Sequence, residues 1–348
     1  MAFTQQNSSA PPHGHGVPHV RLPLVQADAE NVGPPGVADQ AAMRALRWLR
    51  LVFGVCFAIN LGLHLHPQYA VQFARQAADV AAQPHWLAVW DGAVWRVLSA
   101  AGVSKGLALL FGIEVLLAVG LLTGWGFPAM GWLGLAYELL VWSALGGGGA
   151  GAVALVYALG FALLLLLRAW QGSAWSDAAL RRPGLSQVRW AFWLVGLLWV
   201  AIVWTAWQPG LGLRLSDALI QAQAHAPNGL AEWIAFWAGL GQALGMGAFA
   251  VLVAVIDTLI AAGLLLAPWL PRGSRRWLLW SGLIFSLLAW SLSDAMGIFS
   301  GSQADMLSAA AIGAWLFGLL LAAHPWLEAA PPGVTTAPPE RRRVGDAA

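Results

Sequence analysis

Two acids stand where so apolar a chain has least use for them. In GIEVLLAVGLLTG, residues 112–124, Glu114 lies inside a bilayer-length run. VIDTLIAAGLLLA, residues 255–267, carries Asp257 in the same third position, and each acid is followed six residues later by a glycine, Gly120 or Gly263. An ionised carboxyl at the centre of a membrane helix costs about 3 kcal/mol even on the lenient insertion scales, so each acid must face the bundle interior. Two kinds of chemistry suit such a residue. It can fix helix packing by bonding a hydroxyl, an indole N–H or an arginine of its own half. It can also act as a protonatable group beside a quinone or a small-molecule path, which makes Glu114 and Asp257 the candidate catalytic residues.

The other candidates lie nearer the ends of the apolar runs. Trp86, Trp90, Trp95, Trp233 and Trp237 fall in segments between spans, where indoles anchor at the headgroup level. Trp90 and Trp233 are candidate substrate-binding residues, as stacking platforms for a flat ring. The stretch SLSDAMGIFSGSQADM, residues 291–306, gathers Asp294, Ser300, Ser302, Gln303 and Asp305, and Asp294 and Asp305 could bind a polar substrate at a bundle mouth. No histidine outside the N-terminal tail is mid-span, so a buried haem lacks its axial pair. Flavin, nicotinamide, P-loop and HExxH fingerprints are missing too. No metal site and no covalently bound cofactor are expected; a quinone is the cofactor class left open. His64, His66 and His85 with Asp91 form an alternative outer-surface metal set, and His13, His15 and His19 a weaker one in the tail. Cys56 is the one cysteine, which excludes an internal disulfide.

The elements that must position these residues follow from composition. The 348-residue chain is 59% hydrophobic and 10% charged, with 22 tryptophans, far from the roughly 25% charge of soluble domains. Continuous apolar runs, not period-two alternation, indicate an all-α polytopic membrane protein. Eight spans are expected, at about 47–65, 104–124, 127–145, 149–168, 189–208, 243–268, 276–294 and 307–324. Segments 67–102 and 209–242 read as interfacial amphipathic or re-entrant pieces. Residues 1–43 and 328–348, rich in Pro, Gly and Ala, read as disordered cytoplasmic tails.

An internal repeat organises the spans. RWLRLVFGVCFAINLGLHLHP (47–67) lies over RWAFWLVGLLWVAIVWTAWQP (189–209) at an offset of 142, pairing Arg47 with Arg189, Gly54 with Gly196 and Pro67 with Pro209. At 143, Trp90 meets Trp233 and Glu114 meets Asp257; at 148, Trp142 meets Trp290. Offsets that grow slowly are what loop insertions produce. The expectation is two four-helix repeats, 44–170 and 186–324, parallel because four spans is an even number. With a cytoplasmic N-terminus the inner segments hold 13 arginines, leaving aside the remote tail residue Arg21, against four basic residues (Arg75, Arg96, Lys105 and Arg214) outside. Both termini are therefore expected inside. Charge in this chain bears on topology, and nucleic acid is not an expected partner.

Arg47, Gly54 and the acid–x5–Gly–Leu–Leu series of Glu114, Gly120, Leu121 and Leu122, repeated as Arg189, Gly196, Asp257, Gly263, Leu264 and Leu265, is similar to DoxX/DoxD-like membrane proteins. That resemblance covers about 44–170 and 186–324, one four-helix unit each. It implies quinone-linked redox chemistry of the kind served by the small subunit of a thiosulfate:quinone oxidoreductase. The expected function is thus an inner-membrane subunit providing a quinone site or an anchor, with an extracytoplasmic redox partner subunit delivering electrons. A proton-coupled small-solute transporter and a purely structural subunit of a larger respiratory or metalloenzyme complex are the alternatives.

Overall fold

The computed structural model describes residues 37–64, 85–100, 102–126, 128–145, 149–170, 182–293, 296 and 308–327, all within one unit spanning 35–329. Among the described residues there are eleven α-helices: α1 (Val37–His64), α2 (His85–Ala100), α3 (Val103–Thr123), α4 (Ala129–Leu145), α5 (Gly149–Leu166), α6 (Leu185–Ala206), α7 (Leu211–His225), α8 (Asn228–Leu244), α9 (Met246–Leu266), α10 (Arg272–Ser293) and α11 (Ala309–Ala323). Helix is the form an apolar chain must take in lipid, because every backbone N–H and C=O is then satisfied within its own segment.

This is a helical membrane protein. Five helices are long and apolar enough to cross a bilayer: Asp39–Gly62, Lys105–Thr123, Leu185–Ala206, Met246–Trp269 and Ala310–Leu327. Three helices at expected spans are less complete by that measure. α4 has 17 residues, the apolar stretch of α5 is Val153–Leu166, and α10 opens with Arg272, Arg275 and Arg276. A 17-residue helix rises about 25 Å, close to the hydrocarbon thickness. The segment 209–242 holds the two helices α7 and α8, and α2 occupies the end of the segment 67–102.

α1 and α9 each divide into two faces, whereas α11 shows no exposed residue among those described. On α1 the exposed Trp48, Val52, Val55 and Ile59 recur at helical spacing, while Met43, Leu46, Arg50, Phe53, Phe57 and Asn60 are buried. On α9 the buried face is Ala250, Ala254, Asp257, Ala261 and Leu264, with Leu252, Val255 and Leu259 exposed. Apolar side chains on the outside and polar ones inside are the arrangement a bilayer demands, and the exposed aliphatic faces are the lipid-contacting surface. α1 also starts earlier than its apolar run, at Val37, within the segment read as a tail. Asp39 in its first turn suits the positive end of the helix dipole, and it accepts the Trp326 indole N–H at 2.7 Å.

Small residues set the helix approach. A Cβ on Gly54 would lie 3.0 Å from Leu121 Cβ, so α1 packs directly on α3. A Cβ on Gly196 would lie 2.8 Å from Leu265, and α6 packs on α9 in the same way. Between α4 and α5 the Phe161 ring fills the place of the missing side chain at Gly134; between α10 and α11 Phe317 does so at Gly282. α5 and α11 lie against each other, α1 packs on α11, and α6 packs on α5. Two buried arginines close helix ends at carbonyl oxygens. Arg50 donates to Ala169 and Trp170, both at 3.3 Å, where the chain leaves α5 with Arg168 at φ 54°. Arg275 donates to Ala267 at 2.9 Å, Leu270 at 2.7 Å and His324 at 3.4 Å.

Candidate functional site

Glu114 occupies the buried face of α3 with Leu110, Leu117 and Leu121, and only 7% of it is exposed. Its neighbour is on the next helix: the Tyr137 hydroxyl of α4 donates to Glu114 Oε1 at 2.5 Å. Asp257 is 6% exposed, and the Trp199 indole of α6 donates to its Oδ1 at 3.2 Å. Gly196 stands three residues before Trp199 and permits the α6–α9 approach that brings the indole within reach. Both donors are neutral, so each carboxyl gains a hydrogen bond without a charge partner being part of that bond. A hydroxyl and an indole N–H were among the partners anticipated for these acids, and both acids face inward. Buried carboxyls of this kind can accept and return protons, or simply lock two helices together.

Three further polar side chains were missed by sequence reasoning. Glu138, Asn60 and Tyr157 are all buried, at 5%, 4% and 4% exposure, and Asn60 Nδ2 donates to the Tyr157 hydroxyl at 2.5 Å. Glu138 was visible in AYELL, residues 136–140, as an acid inside an expected span. Its partner position in the second half, 148 residues on, is Ser286 and not an acid, so the repeat does not mark it.

The two candidate tryptophans have parallel surroundings. Trp90 Nε1 donates to Ser143 Oγ at 2.8 Å, and the Ser143 hydroxyl donates in turn to Leu140 O at 2.8 Å. Trp233 Nε1 donates to Ser291 Oγ at 3.1 Å, and Ser291 donates to Leu288 O at 2.8 Å. Their N–H groups are thus engaged in tying α2 to α4 and α8 to α10, which leaves only ring faces for stacking. Trp233 already stacks on Phe236 with centroids 6.3 Å apart and meets Trp237 edge-on at 5.7 Å. Ser286 Oγ, Trp237 Nε1 and Trp290 Nε1 are buried without a hydrogen-bond partner among the described residues.

Asp294 and Asp305 lie outside the described residues, as do His66 and the side chains of His64 and Asp91. Among the described residues no group of three or more His, Cys, Asp and Glu side chains could hold a metal ion. Comparison of the chain with protein-family models, with curated proteins and with solved structures finds no match. Functional inference therefore rests on the residues themselves.

Proposed function

We propose that this protein is an inner-membrane subunit of a quinone-linked oxidoreductase, similar in role to the small subunit of a thiosulfate:quinone oxidoreductase. It supplies buried proton-exchanging carboxyls, and an extracytoplasmic partner subunit delivers the electrons. The observation that carries this reading is the burial of Glu114 and Asp257 inside the bundle, each held by a neutral donor on an adjacent helix. Intramembrane acids are costly and rare, and proton relays are a chief use of them.

The eight-span organisation belongs to the same proposal, with two parallel four-helix repeats and both termini cytoplasmic. Contacts that recur at the sequence offsets support it. Gly54 meets Leu122 as Gly196 meets Leu265, and Gly120 meets Met130 as Gly263 meets Leu278. Phe57 meets Phe161 edge-on at 6.1 Å as Trp199 meets Phe317 at 4.9 Å. The Trp90–Ser143 bond has its counterpart in Trp233–Ser291.

The test is native purification in mild detergent, followed by extraction of bound quinone and assay of quinone reduction by whatever subunit accompanies the chain. A co-purifying redox subunit and a Glu114→Gln variant that assembles but reduces quinone more slowly are expected. A chain that purifies without redox partner or quinone, yet drives solute uptake that collapses with the proton gradient, would replace this reading with transport.

A further inference from the structure

We infer that one end of the bundle is a docking collar for anionic phospholipids, whose phosphates meet exposed arginines set beside a ring of exposed tryptophans. This lipid preference goes beyond the proposed function and is independent of quinone chemistry.

Contacts between helix ends bring the collar together. α6 and α9 run antiparallel, since Trp193 donates to Leu265 O at 3.3 Å and Trp199 to Asp257 Oδ1 at 3.2 Å. Arg275 joins the start of α10 to the end of α9 at Ala267 and to the end of α11 at His324. The Trp326–Asp39 bond carries the series to the start of α1, and Arg50 carries it to the exit of α5 at Trp170. A Cβ on Gly131 would lie 2.6 Å from Leu165, so α4 begins at that level, and the meeting of Gly120 with Met130 adds the end of α3. Six tryptophans surround this end: Trp48, Trp125, Trp132, Trp190, Trp269 and Trp277, each 53–76% exposed.

Charge at this end has one sign. Nine of the described arginines gather there, and Arg44, Arg189, Arg272 and Arg276 are exposed. Asp39 is the only acid among the described residues at this end, and it is engaged by Trp326 and by Arg182 at 4.0 Å. The opposite end mixes signs, with exposed Asp217 and Glu232 among exposed Arg214 and Lys105. Arg44 stands one turn before Trp48 on α1, and Arg189 and Arg276 each directly precede a collar indole. Where α6 meets α9 the indoles form a wall: Trp190 meets Trp193 edge-on at 5.2 Å, and Trp193 tilts against Trp269 at 6.1 Å.

The faces that continue from the collar select its occupant. Trp48 is followed by exposed Val52, Val55 and Ile59, Trp190 by Leu197 and Val200, and Trp277 by Ile284 and Leu287. On α6 a second exposed indole, Trp207, stands about 25 Å from Trp190, close to the hydrocarbon thickness. A molecule lying on such a face needs an acyl chain against the aliphatic side chains and a negative head at the collar. Indoles favour the headgroup depth, arginine forks match phosphate oxygens, and cationic side chains near the surface draw lipids whose heads carry net negative charge. An anionic phospholipid meets all three demands. A soluble acidic partner lacks the chain, and a second copy apposed at this collar sets arginine against arginine.

Native mass spectrometry of the full-length chain in detergent, titrated with phosphatidylglycerol or with phosphatidylcholine of the same acyl chains, tests the collar. The first phosphatidylglycerol should bind about fivefold or more tighter, the contribution of one arginine near an anionic surface. Arg44→Gln, Arg189→Gln and Arg276→Gln combined should bring the two lipids to similar affinity by weakening phosphatidylglycerol alone. Lys105→Gln, at the opposite end, should keep the preference. In the unaltered chain the preference should fall as ammonium acetate rises from about 0.1 to 1 M, which shortens the screening length about threefold; this holds the collar to account even if the combined variant does not fold. Equal binding of both lipids by the unaltered chain, a preference indifferent to salt, or one kept in the combined variant overturns the inference. So does a preference lost in Lys105→Gln, or a dimer that forms at this end and excludes the lipid.

Discussion

Replacing Tyr137 by phenylalanine removes one oxygen and leaves the ring, so it isolates the bond to Glu114. The hydroxyl sits 2.5 Å from Oε1, between two helices, at a buried site. A typical net hydrogen bond is worth about 1 kcal/mol, and one to a charged group about 1.5–3. Interhelical bonds in membranes average lower, near 0.6 with a maximum of about 1.7, because the unfolded chain also finds partners. The burial and short distance place this bond in the upper part of the membrane range, so Tyr137→Phe should cost about 1–2 kcal/mol. That is roughly a 5- to 30-fold fall in the folded-to-unfolded ratio. Glu114→Gln keeps an acceptor oxygen and should cost less. Reversible unfolding in mixed micelles by added SDS, followed by helicity, measures all three variants of the cycle. The double variant should show a coupling of about 1 kcal/mol, since the two residues touch, while Leu116→Ala on the exposed face of α3 should be nearly silent. A Tyr137→Phe effect below about 0.3 kcal/mol, or strict additivity in the cycle, would refute the argument that this bond holds α3 to α4.

Three further outcomes follow from packing. Gly134→Val and Gly282→Val push a side chain into Phe161 and Phe317 and should each lower stability by about 1–3 kcal/mol, whereas Gly273→Ala, which meets nothing within 4 Å, should be neutral in the same unfolding assay. Arg275→Lys keeps the charge but cannot reach three carbonyls with one fork; a fall of about 1–3 kcal/mol is expected, read as a lowered thermal midpoint in detergent. Ser143→Ala and Ser291→Ala should each cost about 0.5–1 kcal/mol by freeing an indole N–H, and the indole fluorescence should shift as Trp90 and Trp233 lose their acceptor.

How much of this was legible in the sequence varied with the signal involved. The inward facing of Glu114 and Asp257 followed from the cost of a carboxyl in lipid, which leaves an acid in an apolar run few other places to go. Glu138 carried the same signal in the same kind of run, and the second half, with Ser286 at the matching place, holds no acid there to mark the position. Arg50 was counted as a cytoplasmic topological charge, and its spacing with Leu46, Phe53 and Phe57 already put it on the buried face of α1. Where its guanidinium would end, at the carbonyls of Ala169 and Trp170, depends on a contact across 119 residues that no local pattern encodes. The start of α1 at Val37 was also hidden, because Asp39 is anchored by Trp326 from the far end of the chain.

Whether the acids are shielded from lipid can be measured directly by spin-label oxygen accessibility in proteoliposomes, with Cys56 replaced by alanine and single cysteines placed along α3 and α9. Labels at positions 114, 117 and 121, and at 254, 257 and 261, should be immobile and poorly accessible to oxygen, while labels at 109, 116, 252 and 259 should give lipid-like accessibility. Lipid-like accessibility at position 114 or 257 would contradict the inward placement of that carboxyl and every function built upon it.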